Sequence, residues 1–269
     1  MSIADSDGAL GTYRYLLFDI SCTEKNDPFG NTFYSEIDVI DAAAPVVPVA
    51  AAPRPAPKGP VKYQIAIDYS ETPELKEWVE TKLRPTLDKW YPLIVAALPS
   101  EDFVAPQRFT VTFKAQMNGV AYTNGTSVVC AGPWFKENLD GEAVGAVVHE
   151  LVHVVQQIHN RHSPGWLIEG SADYIRWFQY EPESKRPRPD PRRAKLTDGY
   201  RTTAAFLNYL SGKYDKSIVT KLNAAMREGN YTDQTFKEIT GKSLDDLWQE
   251  YVATLKKRAE PRRAITNSK

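Results

Sequence analysis

Cysteine is nearly absent from this chain: Cys22 and Cys130 are the only two in 269 residues. That excludes a disulfide framework and leaves the redox compartment open. Long apolar runs are missing too. A membrane helix needs about 18 to 20 such residues, and the richest stretch, Ala42 to Ala52, is short and broken by Pro45 and Pro48. Neither sign of charge is in excess, because 33 Lys+Arg stand against 34 Asp+Glu for a net charge of -1. No global field therefore exists to hold nucleic acid or an anionic membrane, and any partner is recognised locally. Met1 to Asp7 is acidic and polar where an export signal would be basic and then apolar. What remains is ordinary globular composition, 42% hydrophobic and 25% charged, in a chain long enough to bury a sizeable core.

Alanine and proline dominate residues 41–60, DAAAPVVPVAAAPRPAPKGP, which reads as a semi-rigid linker. Upstream, YRYLLFDI (13–20) and TFYSEIDV (32–39) have strand-like composition around the turn-rich NDPFGN. Residues 1–40 are too few for an independent sheet domain. They resemble the closing strands of a discoidin-like β-sandwich, so they are expected to be either the end of a larger upstream module or a tail without fixed structure. On the first reading the true N-terminus lies upstream of Met1.

After the linker, VKYQIAIDY (61–69) alternates as a strand. A helix is expected over 73–98, with an apolar stripe through Leu75, Trp78, Val79, Leu83, Leu87, Trp90 and Leu93. Strands follow near 108–113, 119–122 and 127–130, separated by turns at MNG and TNG. From Gly141 the pattern is helical. Strands first and helices second is α+β organisation, placing one catalytic domain at 61–258 and a flexible tail at 259–269.

All four histidines, His149, His153, His159 and His162, fall within fourteen residues. Two belong to the HExxH sequence His149-Glu150-Leu151-Val152-His153, inside a run whose Val144, Val147, Val148, Leu151, Val155 and Ile158 recur at helical spacing. At about 100° per residue the two imidazoles share one helix face, one turn apart. That spacing suits two nitrogens on one Zn²⁺, with Glu150 beside them reaching water rather than metal. The pattern alone is also compatible with two ordinary histidines on a solvated helix.

A catalytic zinc requires a third protein ligand, and two residues compete for that place. His159 stands where metzincins carry their third histidine, but the helix-breaking glycine of that pattern is here Gln156. If the helix continues through Gln156, His159 points about 120° away from His153. Glu169 instead follows a break at Ser163-Pro164-Gly165, from which a second helix can pack across the first. Asp173, four residues on, shares its face and is placed to accept a hydrogen bond from a ligating imidazole. Glu169 is the favoured third ligand.

HELVHVVQ, GWLIEGSADYIRW, DGYRTTAAFLNYL and KSLDDLWQEY resemble the plant basic secretory protein family and its bacterial relatives, grouped with gluzincin-type metallopeptidases. The resemblance covers most of 61–251. It implies a zincin-like fold, with a small mixed sheet, an active-site helix beneath it and a helical C-terminal part. It also implies that His149, His153 and Glu169 ligate zinc and that Glu150 is the base. The near-neutral charge departs from the basic members that gave the family its name.

Hydrolysis also needs a donor for the developing oxyanion. No histidine lies beyond His162, so unless His159 or His162 serves, Tyr200 in Asp198-Gly199-Tyr200-Arg201 is the best phenol, and related gluzincins carry a tyrosine in a comparable segment. Its alternative is a tyrosine packed against the helix pair; Arg201 is a weaker donor. Cys130 in SVVCA reads as a buried hydrophobe, and the edge of that strand could align an extended peptide. Phe206, Tyr209, Phe236, Trp248 and Tyr251 read as core, and 181–193 as a solvated, proline-stiffened loop.

The leading expectation is a zinc-dependent endopeptidase acting on peptide or protein substrates, exported to the extracellular space or periplasm, with glycan contact possible through the upstream module. A non-catalytic carbohydrate- or wall-binding protein, and a degenerate zincin with a structural metal, are the alternatives.

Overall fold

Alternation of large apolar and small polar side chains sets up the sheet. The computed structural model describes residues 62–159 and 163–259. The expectations for 1–40, the 41–60 linker, His162 and the tail beyond 259 fall outside these residues. Strands β1 (Gln64–Asp68), β2 (Arg108–Lys114), β3 (Ala121–Asn124) and β4 (Ser127–Ala131) form a sheet of order β1-β2-β4-β3. β1, β2 and β4 run parallel, and β3 is antiparallel to β4. Phe109, Val111 and Phe113 of β2 and Val128 and Cys130 of β4 are buried on one face, as the two-residue period of a half-covered sheet requires. Helices follow, so the architecture is α+β with a small mixed sheet.

One strand expectation needs correction. β2 pairs in parallel with β4, while β3 pairs with β4 through the TNG turn. SVVCA consequently lies between β2 and β3 and has no free edge; among the described strands β3 is the edge on that side. Local turn signals do not report a parallel partner brought from elsewhere in the chain.

The first helical run passes from Pro73–Leu75 through Lys76–Trp78 and a π-turn at Val79–Leu83 into α1 (Arg84–Ala97). The turn contains Thr81, whose carbonyl the Pro85 ring would otherwise strike. One extra residue in that turn rotates everything after it. The buried stripe is Leu75, Trp78, Val79, Leu83, Leu87, Tyr91 and Ile94, whereas Leu93, expected to be buried, is 47% exposed.

The remaining helices are α2 (Gly132–Glu137), α3 (Ala143–Gln156), α4 (Gly165–Tyr174), α5 (Tyr200–Lys213), α6 (Ile218–Arg227), α7 (Gln234–Thr240) and α8 (Leu244–Ala259). α3 is buried almost all round, with Val147, Val148, Leu151, Val152, Val154 and Val155 inaccessible, as expected of a helix enclosed by sheet and helices together. α4 crosses onto α5 through Gly170, where an added Cβ would overlap the Thr203 side chain. Phe206 packs against Phe236, Trp248 and Tyr251 in the C-terminal core. No described helix is long and apolar enough to cross a membrane.

Candidate metal centre

α3 and α4 supply the site between them. His149 and His153 lie one turn apart on α3, and their Nε2 atoms approach to 3.1 Å. Glu169 of α4 brings Oε2 to 3.1 Å from His149 Nε2 and 3.4 Å from His153 Nε2. One ligand atom from each of the three residues lies within 4.8 Å of the other two.

The outer nitrogens of the imidazoles determine what the inner ones can do. His149 Nδ1 is 2.7 Å from Asp173 Oδ1, and His153 Nδ1 is 2.7 Å from Gln156 Oε1. Both partners are oxygen acceptors, so in the neutral rings the proton sits on Nδ1 and the Nε2 lone pair faces inward. Two lone pairs and a carboxylate oxygen then converge with no donor among them. Such a cradle fits a cation, and the mixed nitrogen and oxygen set fits a divalent metal of the zinc kind.

The electrostatics agree. Burial by itself would lower the His149 pKa, but its hydrogen bonds to Asp173 and Glu169 outweigh that effect and raise it to about 10. Burial would raise the Glu169 pKa, yet the two imidazoles hold it well below the ordinary carboxylate value. In the metal-free protein one proton on His149 thus partly satisfies the cradle.

The Glu150 carboxylate is hydrogen-bonded to the sheet. Thr123 Oγ1 in β3 lies 2.7 Å from Glu150 Oε2 and 3.1 Å from the Glu150 carbonyl oxygen. Its single proton can be given to the carboxylate. Tyr200, the first residue of α5, stacks on His149 with ring centroids 6.0 Å apart and 13° between planes. Its phenol pKa is raised by loss of solvent and then by the charges of Glu169, Glu150 and Asp173.

The helix of the histidines is shorter than a continuous pattern would suggest. α3 ends at Gln156, with Gln157 in the left-handed conformation at φ 45°. His159 is exposed beyond that break, 3.3 Å from Gln157 Oε1, and is not in the ligand group. Arg201 is likewise elsewhere, paired with Glu142 at 2.7 Å and stacked over Trp177. Cys130 is buried, and burial followed by the nearby Glu150 charge pushes its thiol pKa up, in keeping with an inert packing role.

Two polar residues of the site escape sequence reasoning. Thr123 comes from a strand 27 residues before Glu150, and nothing local announces it. Gln156 had a signal, a long amide three residues after a candidate ligand, one helical turn away and able to reach its ring.

A family model described as "Peptidase of plants and bacteria" matches residues 74–251. No curated protein and no solved structure matches significantly. The chain belongs to that family of peptidases, the basic secretory protein family.

Proposed function

We propose that this member of the family is a zinc-dependent endopeptidase of gluzincin type, with a zincin-like fold in which α3 is the active-site helix. The observation that carries the reading is the convergence of His149 Nε2, His153 Nε2 and Glu169 Oε2 on one point, with the first two turned inward by Asp173 and Gln156. Zinc held there would supply Lewis acidity toward water and toward the scissile carbonyl.

The chain's own residues do the rest. Glu150, anchored through Oε2 by Thr123, takes the proton of the attacking water on its other oxygen and returns it to the leaving amine nitrogen. Tyr200 donates its phenolic hydrogen to the oxyanion as the carbonyl becomes tetrahedral. Substrates are peptides or proteins. Action outside the cell or in the periplasm, with glycan contact through residues upstream of the linker, belongs to the same proposal.

Metal analysis of the purified protein together with a peptide-library digest, before and after chelation, tests it. The expected result is one zinc per chain, cleavage lost on chelation, and recovery on zinc addition. Tight zinc without cleavage would assign the metal a structural role. Glycan retention with neither zinc nor cleavage would make this a binding protein.

A further inference from the structure

Gln156 is 2% exposed, and both ends of its amide are engaged. Oε1 lies 2.7 Å from His153 Nδ1, while Nε2 donates to the Ile168 carbonyl oxygen at 3.2 Å. A backbone carbonyl oxygen can only accept, so Ile168 fixes which end of the amide is nitrogen and therefore which end meets the imidazole. His153 must then donate from Nδ1. Ile168 immediately precedes Glu169 in α4.

We propose that Gln156 is a positioning residue for the metal centre, a single amide that sets the tautomer of one ligand, His153, and ties it to the backbone beside another, Glu169. The inference rests on the metal-binding reading above and adds a residue to it. Its counterpart on the other ligand is Asp173, which reaches His149 from α4 directly. Each imidazole of α3 is thus tied to α4, His149 directly through the Asp173 carboxylate and His153 through the Gln156 amide of its own helix. The neutral choice leaves Glu169 and Asp173 as the two carboxylates in contact with the imidazoles, so the pair is oriented without a third buried anion.

The main chain at this point is secured independently. Arg227 of α6 donates to the Gln156 and Val155 carbonyl oxygens, each at 2.9 Å, and to Leu98 O and Ser100 Oγ at 3.0 and 2.7 Å. A guanidinium at a helix C-terminus satisfies carbonyls that lack intrahelical partners. Changing the Gln156 side chain therefore leaves the end of α3 held.

The test uses the full chain with Gln156→Met, which preserves length and removes both hydrogen bonds, and Gln156→Glu, which keeps the acceptor for Nδ1–H and loses the donor to Ile168. Imidazole ¹⁵N shifts of the metal-free proteins, taken where His153 is neutral, report the tautomer; chelator competition reports zinc affinity. The expected result is an Nδ1–H ring in the wild type and in Gln156→Glu, loss of that preference in Gln156→Met, and zinc binding weakened by about 10- to 100-fold in Gln156→Met. Wild-type tautomer and affinity in a folded Gln156→Met would overturn the proposal, as would loss of the Nδ1–H ring in Gln156→Glu. A wild type that binds no zinc would refute the metal reading, and the tautomer measurement would still decide the role of Gln156.

Discussion

The Tyr200 ring lies almost parallel to that of His149, 13° between planes at 6.0 Å, although Tyr200 is 55% exposed and has a left-handed φ of 41°. A bulky residue in that region carries backbone strain. The fold accepts this strain and in return holds a phenol over a candidate ligand. Tyr200→Phe keeps the ring and removes the donor, so kcat should fall by about 10²-fold with little change in KM. Unchanged kcat would reduce Tyr200 to a packing residue.

Glu150→Gln removes the proposed base while leaving the three proposed ligands intact. Steady-state assays should register a loss of about 10² to 10⁴ in kcat, and metal analysis should still find the wild-type zinc content. Full turnover in this variant would refute the assignment of Glu150.

Glu169→Ala and His159→Ala separate the two candidates for the third ligand. Because Glu169 meets both imidazoles and His159 sits beyond the left-handed Gln157, chelator competition should find tight zinc binding lost in the first and intact in the second. The opposite pattern would place the protein with the metzincins.

Zinc uptake should depend on pH. In the metal-free protein His149 retains its proton up to about 10, and a ligating imidazole must be deprotonated. Apparent affinity should therefore rise with pH through the neutral range, with about one proton released per zinc; indicator-dye titration measures the release. For the metal-free fold the sign is reversed. The folded pKa of His149 lies above its ordinary 6.5, so its stabilising contribution is complete below 6.5 and is lost as pH rises toward about 10. Melting temperatures in chelator should decline over that interval.

Gly170→Ala tests the helix crossing next to Glu169. The added methyl has no room against Thr203, so denaturant titration should show a loss of about 1 to 3 kcal/mol. Zinc affinity should fall as well, because α4 can relieve the overlap only by moving away from α5.

Much of the centre was legible from the chain because its parts repeat at helical spacing. His149 and His153 stand one helical turn apart with Glu150 beside the first, and Glu169 and Asp173 stand one turn apart after the Pro164 break. Contacts that depend on tertiary pairing were illegible. Thr123 reaches Glu150 only after β3 has paired with β4, and the placement of β4 between β2 and β3 is a non-local choice. After Leu87 both the 90/93 and the 91/94 positions continue a helical stripe, and only tertiary packing decides for Tyr91 and Ile94, with Leu93 left exposed.

Asn124 pairs with Ser127 across the two-residue loop Gly125-Thr126, with Gly125 at φ 57°, the conformation that a glycine-led hairpin turn demands. That turn dictates which residue of β3 stands opposite which residue of β4. Because successive side chains alternate between faces, a slip of one position would turn Thr123 to the far side of the sheet and leave the Glu150 carboxylate unheld. The aim of a buried carboxylate on a helix is thus specified by the length of a surface loop, and an insertion there would disarm it without touching any residue of the cradle.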